Sequence, residues 1–184
     1  MQREAVEQMM VKAVHAAAKA QEEALDAKLH ELDGMDDEDL ERMREKRLRE
    51  MKKLHQKKIE WKRNGHGTYK EIPDEREFFQ VTKNSRRVVC HFYRPTTKHC
   101  WVVDKHFQKL CMEHLECRFI KINAEKSPYL CEKLNIWMMP TMVCINERKT
   151  VHSIIGFDEL GGTDAFTRQD LKTVLAGHGM IDMK

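Results

Sequence analysis

The sequence contains no Cys-x-x-Cys pair, although it has six cysteines. Disulfide exchange needs an attacking thiolate and a resolving thiol three residues away, so this absence excludes an ordinary dithiol redox enzyme. It also excludes the closely spaced ligand pairs of structural zinc sites, and the adjacent His99 and Cys100 are poorly spaced for chelation. We therefore expect no metal ion and no cofactor. Buried, unpaired thiols are expected at Cys90, Cys100, Cys111, Cys117, Cys131 and Cys144.

Long apolar runs are also absent from the sequence. No stretch approaches the roughly 20 apolar residues that a membrane-spanning helix needs. The N-terminal region is acidic and polar and lacks the apolar segment of a signal peptide. We therefore expect an intracellular, soluble protein that has no membrane partner.

The net charge of +3 is small but unevenly distributed. Residues 1–41 contain 4 Lys/Arg and 12 Asp/Glu, a balance of −8, whereas residues 42–64 contain 11 and 3, a balance of +8. This acidic-then-basic arm favours protein partners or antiparallel self-pairing. A nucleic-acid surface is the weaker interpretation, because Trp61 is the one aromatic residue in the basic run. The candidate partner-binding residues of this run are Arg42, Arg44, Lys46, Arg47 and Arg49.

Residues 1–64 are predicted to form a helical arm of two helices with a break near 34–36. The second helix runs from about Asp37 to Lys62, because the acidic cluster at 36–39 suits a helix N-terminus. Both apolar stripes are thin, which favours an arm that packs on a partner, as in a coiled coil; a solvated extension is the alternative. The stripe of the first helix consists of Val6, Met10, Val14, Ala17, Leu25, Leu29 and Leu32.

From Gly65 onward the pattern changes to alternating strands and helices, and Gly65–Gly67 is interpreted as a hinge. The order is β-α-β-α-β-α-β-β-α, which predicts a central mixed sheet flanked by helices over residues 65–176. A tail follows at 177–184. The predicted strands are 69–72, 88–93, 117–123, 141–146 and 150–155, and the helices begin near 74, 100, 127 and 167.

This order of elements resembles the thioredoxin domain and implies an α/β, thioredoxin-like fold. Pro140 falls where that family has a cis-proline beside the active site, and Gly156 matches the glycine after the last strand. Cys100 matches the second redox cysteine, but Thr97 replaces the first, and a hydroxyl cannot form the mixed disulfide. His91 stands where a buried acidic residue is usual. The degenerate tetrad is Thr97, Lys98, His99 and Cys100, and no catalytic residue is expected.

Five further motifs resemble the phosducin-like family, one subgroup of it in particular. They are Glu41–Met51, Gly65–Ile72, Val89–Arg94, Leu130–Leu134 and Gly156–Gly161. The resemblance covers nearly the whole chain from about residue 30. It implies a non-enzymatic co-chaperone that binds the cytosolic chaperonin CCT (TRiC) and modulates its ATPase-driven folding of tubulin and actin. It also implies a cytoplasmic location, with the nucleus and the centrosome as further sites.

Two alternatives to the co-chaperone remain open at this point. Cys100 could act alone in a monothiol redox protein or thiol sensor, against which Thr97 argues. The wider family also implies a binder of G-protein βγ subunits.

Trp101 and Trp137 are expected near the former active-site face. They could be anchors that bind a partner or ordinary partly buried aromatics, and the sequence does not decide between these roles.

Overall fold

The computed structural model describes the backbone of residues 2–34 and 36–183 and the side chains of 9–30, 34 and 36–183. The chain divides into two compact units, Met1–Lys53 and Leu54–Lys184. This boundary lies within the second helix, whereas the helical arm predicted from the sequence ends at residue 64.

Two long helices form the N-terminal arm: α1 (Gln2–Asp33) and α2 (Asp37–Arg63). The side chain of Asp36 caps α2 by accepting a 2.8 Å hydrogen bond from the backbone N–H of Asp39. No residue of α2 is buried, and Met10, Val14, Leu25 and Leu29 of the α1 stripe are exposed. The predicted stripe positions Val6 and Leu32 lie outside the described side chains. None of the described helices is long and apolar enough to cross a membrane.

A five-stranded mixed sheet forms the centre of the second unit. The strands are β1 (Lys70–Glu71), β2 (Arg87–Tyr93), β3 (Arg118–Asn123), β4 (Thr141–Asn146) and β5 (Lys149–Ile155). Their order in the sheet is β1-β3-β2-β4-β5. The three strands β1, β3 and β2 are parallel, and β4 and β5 add an antiparallel hairpin. This confirms the predicted thioredoxin-like topology.

Helices cover both faces of the sheet, because its central strands are buried on both sides. Along β2, Val89 packs in one cluster with Phe107 and Leu171, whereas Phe92 packs in the other with Phe78. The first cluster involves α4 (Lys98–Glu113) and α6 (Arg168–Gly177), and the second involves α3 (Glu75–Asn84) and α5 (Pro128–Lys133). Short 3₁₀ turns lie at Ala124–Lys126 and Asp158–Leu160.

The segment Gly65–Gly67 is a packed turn and not the predicted hinge. His66 is 3% exposed; its Nδ1 lies 2.7 Å from the carbonyl oxygen of Leu115 and its Nε2 2.9 Å from Oγ of Ser85. Gly65 has a φ of +83°, and a Cβ there would lie 2.8 Å from the guanidinium of Arg118. Glycine is thus needed for a left-handed backbone and a close approach, not for flexibility.

Candidate functional site

The degenerate tetrad lies at the N-terminus of α4, where the thioredoxin mapping places it. Thr97 is the N-cap residue, but its side chain makes no capping hydrogen bond. The imidazole of His99 is exposed, and its Nδ1 lies 3.7 Å from a carboxylate oxygen of Asp164. Cys100, in contrast, is fully buried. An attacking thiol must be accessible to solvent, whereas the thiol of Cys100 is not.

The electrostatic surroundings of Cys100 keep it in the neutral thiol form. Burial raises its pKa, and the nearby charge of Asp104 adds to the increase. Burial likewise raises the pKa of each of the other five cysteines, that of Cys144 to about 12. All six are free, and five of them are buried. Since the thiolate is the reactive form, these surroundings argue against a thiol sensor built on Cys100.

A polar cluster lies about one helical turn after Cys100. It includes the carboxylate of Asp104, which is not among the site residues predicted from the sequence. Asp104 accepts hydrogen bonds from Tyr69 (2.6 Å) and from Lys121 (2.7 Å). Nδ1 of His91, on β2, lies 3.0 Å from the same carboxylate. His91 thus occupies the position where the thioredoxin family usually has a buried acidic residue, and Asp104 of α4 supplies an acidic group beside it. Asp104 follows Cys100 by four residues, a spacing that puts both on one helix face and could have revealed it.

The charge state of this cluster follows from its hydrogen bonds. Burial alone would raise the pKa of Asp104, but hydrogen bonds from His91, Lys121 and Tyr69 outweigh it and hold the pKa well below its usual range. Burial lowers the pKa of His91, which disfavours its charged form, although the hydrogen bond with Asp104 acts in the opposite direction. Within the described chain Nε2 of His91 is buried without a hydrogen-bond partner. The cluster is a paired, structural set of charges and does not activate a thiol.

Contacts on one side of the domain connect the tetrad with the Pro140 loop. The Met139–Pro140 peptide bond is cis, and the carbonyl of Pro140 accepts a 2.8 Å hydrogen bond from the N–H of Gly156. The next residue, Phe157, places its ring 5.7 Å from that of His99 in an edge-to-face arrangement. We call the set Thr97–Trp101, Trp137–Pro140 and Gly156–Phe157 the tetrad face.

Both tryptophans of the tetrad face are directed into solvent. Trp101 is 65% exposed and Trp137 is 68% exposed. They are therefore not partly buried core aromatics, which was one of the two roles that the sequence left open. Large exposed aromatics are typical anchors of protein interfaces.

The five basic candidates on α2 are all exposed, but they differ in their pairing. Arg42 is paired with Glu38 at 2.8 Å and Arg49 with Glu45 at 2.9 Å, while Arg44 lies 4.0 Å from Glu41. No ion pair involves Lys46 or Arg47 in the described part of the chain. These two residues are accordingly the most available for a partner's carboxylates.

Comparison with known proteins agrees with the fold and extends beyond it. The Thioredoxin family matches residues 70–167. Among solved structures, a thioredoxin from Halobacterium salinarum superimposes with a TM-score of 0.54 at 15% identity, covering 65% of this chain and 96% of that one. Spinach chloroplast thioredoxin f gives a TM-score of 0.52 at 19% identity, with coverage of 62% and 88%. These low identities establish the fold alone.

Three curated relatives are much more similar to the whole chain. Phosducin-like protein 3 of Drosophila melanogaster is 48% identical over 168 residues, which are 91% of this chain and 78% of the relative. This chain belongs to the phosducin-like protein 3 family. Human thioredoxin domain-containing protein 9 is 46% identical, with coverage of 89% and 73%. Its Arabidopsis thaliana homologue is also 46% identical, with coverage of 93% and 81%.

The relationship to the phosducin-like protein 3 family includes the helical arm. Only 120 residues follow residue 64, so a match over 168 residues extends well into residues 1–64. The region that this chain shares with the Drosophila relative therefore includes much of the arm.

Proposed function

We propose that this chain is a redox-inactive, thioredoxin-domain co-chaperone. It binds the cytosolic chaperonin CCT and modulates its ATPase-driven folding of tubulin and actin. It acts in the cytoplasm, with the nucleus and the centrosome as further locations. One observation carries the proposal: in this member of the phosducin-like protein 3 family, Thr97 replaces the nucleophile of the tetrad and Cys100 is buried.

A non-enzymatic role is supported by the chemistry of the tetrad. A reductase needs a solvent-accessible thiolate and a second thiol that resolves the mixed disulfide. Here the hydroxyl of Thr97 cannot form that disulfide, and the pKa of Cys100 is raised by burial. The exposed surface around the tetrad is instead aromatic, which suits binding of a protein without chemical change.

A two-point attachment to the chaperonin is supported by the arm and the tetrad face together. The arm offers exposed apolar stripes and the charges of Lys46 and Arg47, which form no ion pair with any described residue, whereas the tetrad face offers Trp101 and Trp137. Linking two contacts in one chain makes the second one intramolecular, which raises its effective concentration. Charge complementarity at the arm would mainly set orientation and association rate.

Binding to purified chaperonin tests this function directly. We expect a chain that begins at Leu54 to bind at least about tenfold more weakly than the full chain, about 1.4 kcal/mol, because one of two attachments is lost. We expect a similar loss in a Trp101→Ala/Trp137→Ala double variant. Tyr129→Ala is the matched control, since Tyr129 is an exposed aromatic on α5. Retention of full affinity by both altered chains would refute the two-point attachment.

Binding measured at several salt concentrations tests the charges of Lys46 and Arg47. Binding of the full chain should weaken as the salt concentration rises, because exposed charges are screened. Reversing Lys46 and Arg47 to glutamate should weaken binding and flatten that salt dependence. A salt dependence that does not change in this variant would assign the electrostatic contact to another surface. Absence of any chaperonin binding by the full chain would refute the proposed function itself.

A further inference from the structure

Three potential metal ligands meet on the side of the domain formed by β5 and α6. His152 lies on β5, Glu159 on the 3₁₀ turn Asp158–Leu160, and His178 at the C-terminal end of α6. Nε2 of His152 is 2.6 Å from one carboxylate oxygen of Glu159, and Nε2 of His178 is 3.2 Å from the other. The three ligand atoms all lie within 4.8 Å of one another.

Buried neighbours fix the backbone that carries each of these side chains. His152 is paired with Cys144 of β4 in the sheet register. Leu160 anchors the 3₁₀ turn in the core, and Leu175 and Met180 anchor the chain on both sides of His178. The three side chains therefore project from a rigid frame, which is what a preformed ligand set requires.

The donor set suits a transition-metal cation. Two imidazoles and one carboxylate with a position left for water are a known three-ligand arrangement for Zn²⁺. The side chains of His152, Glu159 and His178 are 35%, 36% and 29% exposed, so water can reach the remaining position. The negative end of the α6 dipole lies at His178 and favours a cation there.

The present geometry is close to a ligand shell but requires a small rearrangement. The two imidazoles stack with centroids 3.8 Å apart and an interplanar angle of 12°, so one ring must rotate before both Nε2 lone pairs converge on one ion. Zn–ligand bonds of 2.0–2.2 Å put tetrahedral ligands about 3.3 Å apart. The partial exposure of both imidazoles permits such a rotation, and each ring then carries its proton on Nδ1.

We propose that His152, Glu159 and His178 form a Zn²⁺-binding site with water as the fourth ligand. None of these three residues belongs to the tetrad or to the residues assigned to chaperonin binding. The opposing interpretation is a structural ion cluster, in which both imidazoles only donate hydrogen bonds to Glu159. In that case substitutions would change stability and leave metal affinity as it was.

The test is a Zn²⁺ titration of the untagged full chain, followed by calorimetry with the thiols kept reduced by a phosphine. We expect one saturable site whose affinity falls at least about tenfold in His152→Ala, His178→Ala and Glu159→Gln. His99→Ala is the matched control, because His99 is an exposed histidine beside the carboxylate of Asp164 but belongs to no three-ligand group among the described residues. We expect its affinity to change less than twofold. An unchanged affinity in the three ligand variants overturns the proposal.

Two further readouts separate ligand loss from misfolding and from thiol binding. Zn²⁺ should raise the thermal midpoint of the unaltered chain but not that of the isosteric Glu159→Gln variant, whose fold is checked by circular dichroism. Co²⁺ in place of Zn²⁺ should give visible d–d bands without a thiolate-to-cobalt charge-transfer band. Such a charge-transfer band would place the metal on cysteines and overturn the assignment.

Discussion

Asp104 on α4 and His91 on β2 share a hydrogen bond of 3.0 Å, and the Asp104 carboxylate also accepts one of 2.7 Å from Lys121 on β3. These contacts tie a helix to two adjacent strands through one partly buried charge. Breaking a partly buried charge pair leaves the remaining charge unpartnered, which is costlier than loss of a fully exposed pair. The stability of the domain should therefore depend on Asp104.

Replacing Asp104 with asparagine should lower the free energy of unfolding by about 1–3 kcal/mol. The amide keeps the shape of the carboxylate but leaves the Lys121 ammonium without a counter-charge. Urea unfolding followed by circular dichroism measures the change. Asp164→Asn is the control, since this exposed carboxylate lies beside His99 and its loss should cost less than about 0.5 kcal/mol. Equal effects of the two substitutions would contradict the structural role of Asp104.

Acidification should destabilise the domain through His66. Burial lowers the pKa of His66 to about 4, whereas a histidine in the unfolded chain titrates near about 6.5. Between these values the unfolded chain binds a proton that the folded chain does not. The free energy of unfolding should thus fall as the pH drops from about 6.5 to 4, by up to about 3 kcal/mol from this residue.

The pH dependence of His66→Gln tests this assignment. Glutamine can donate and accept hydrogen bonds but does not titrate, so the slope of unfolding free energy against pH should flatten over that range. A residual slope of the same sign is expected from His91, whose pKa is also lowered by burial. If the variant keeps the slope of the unaltered chain, the proton uptake belongs to other groups.

Disulfide-reductase turnover with dithiothreitol and an insulin-type substrate should not exceed the thiol background. The reason is the hydroxyl at Thr97 and the raised pKa of the buried Cys100. Thr97→Cys alone should give at most weak activity, because Lys98, His99 and His91 also differ from the redox pattern. A rate near that of a dithiol thioredoxin that disappears in Cys100→Ser would show that the chain is an enzyme after all.

Two truncations should distinguish the arm from the domain. A chain that begins at Leu54 should unfold cooperatively, because it contains the whole second unit. A chain that begins at Gly65 should be less stable by about 1–2 kcal/mol. It loses the stacking of Trp61 on His66 (ring centroids 6.3 Å apart) and the 3.1 Å hydrogen bond from Asn64 to the Asn84 carbonyl. Equal stability of both chains would show that Trp61 and Asn64 do not stabilise the domain.

The sequence by itself determined the elements of the domain and the loss of its redox chemistry. Apolar runs such as 88–93 are local signals, and the structure has β2 at Arg87–Tyr93. The identity of residue 97 is equally local: a hydroxyl in place of a thiol removes the reaction in any fold.

Only the tertiary structure decided which distant polar groups meet. His152, Glu159 and His178 lie on three different elements and are not closely spaced in the sequence. The expectation of no metal site rested on closely spaced ligand pairs and therefore did not consider them. The same holds for His66, whose partners Ser85 and Leu115 come from other parts of the chain. Sheet register and helix packing set these contacts, because backbone pairing and burial of apolar faces fix side-chain positions that local periodicity does not encode.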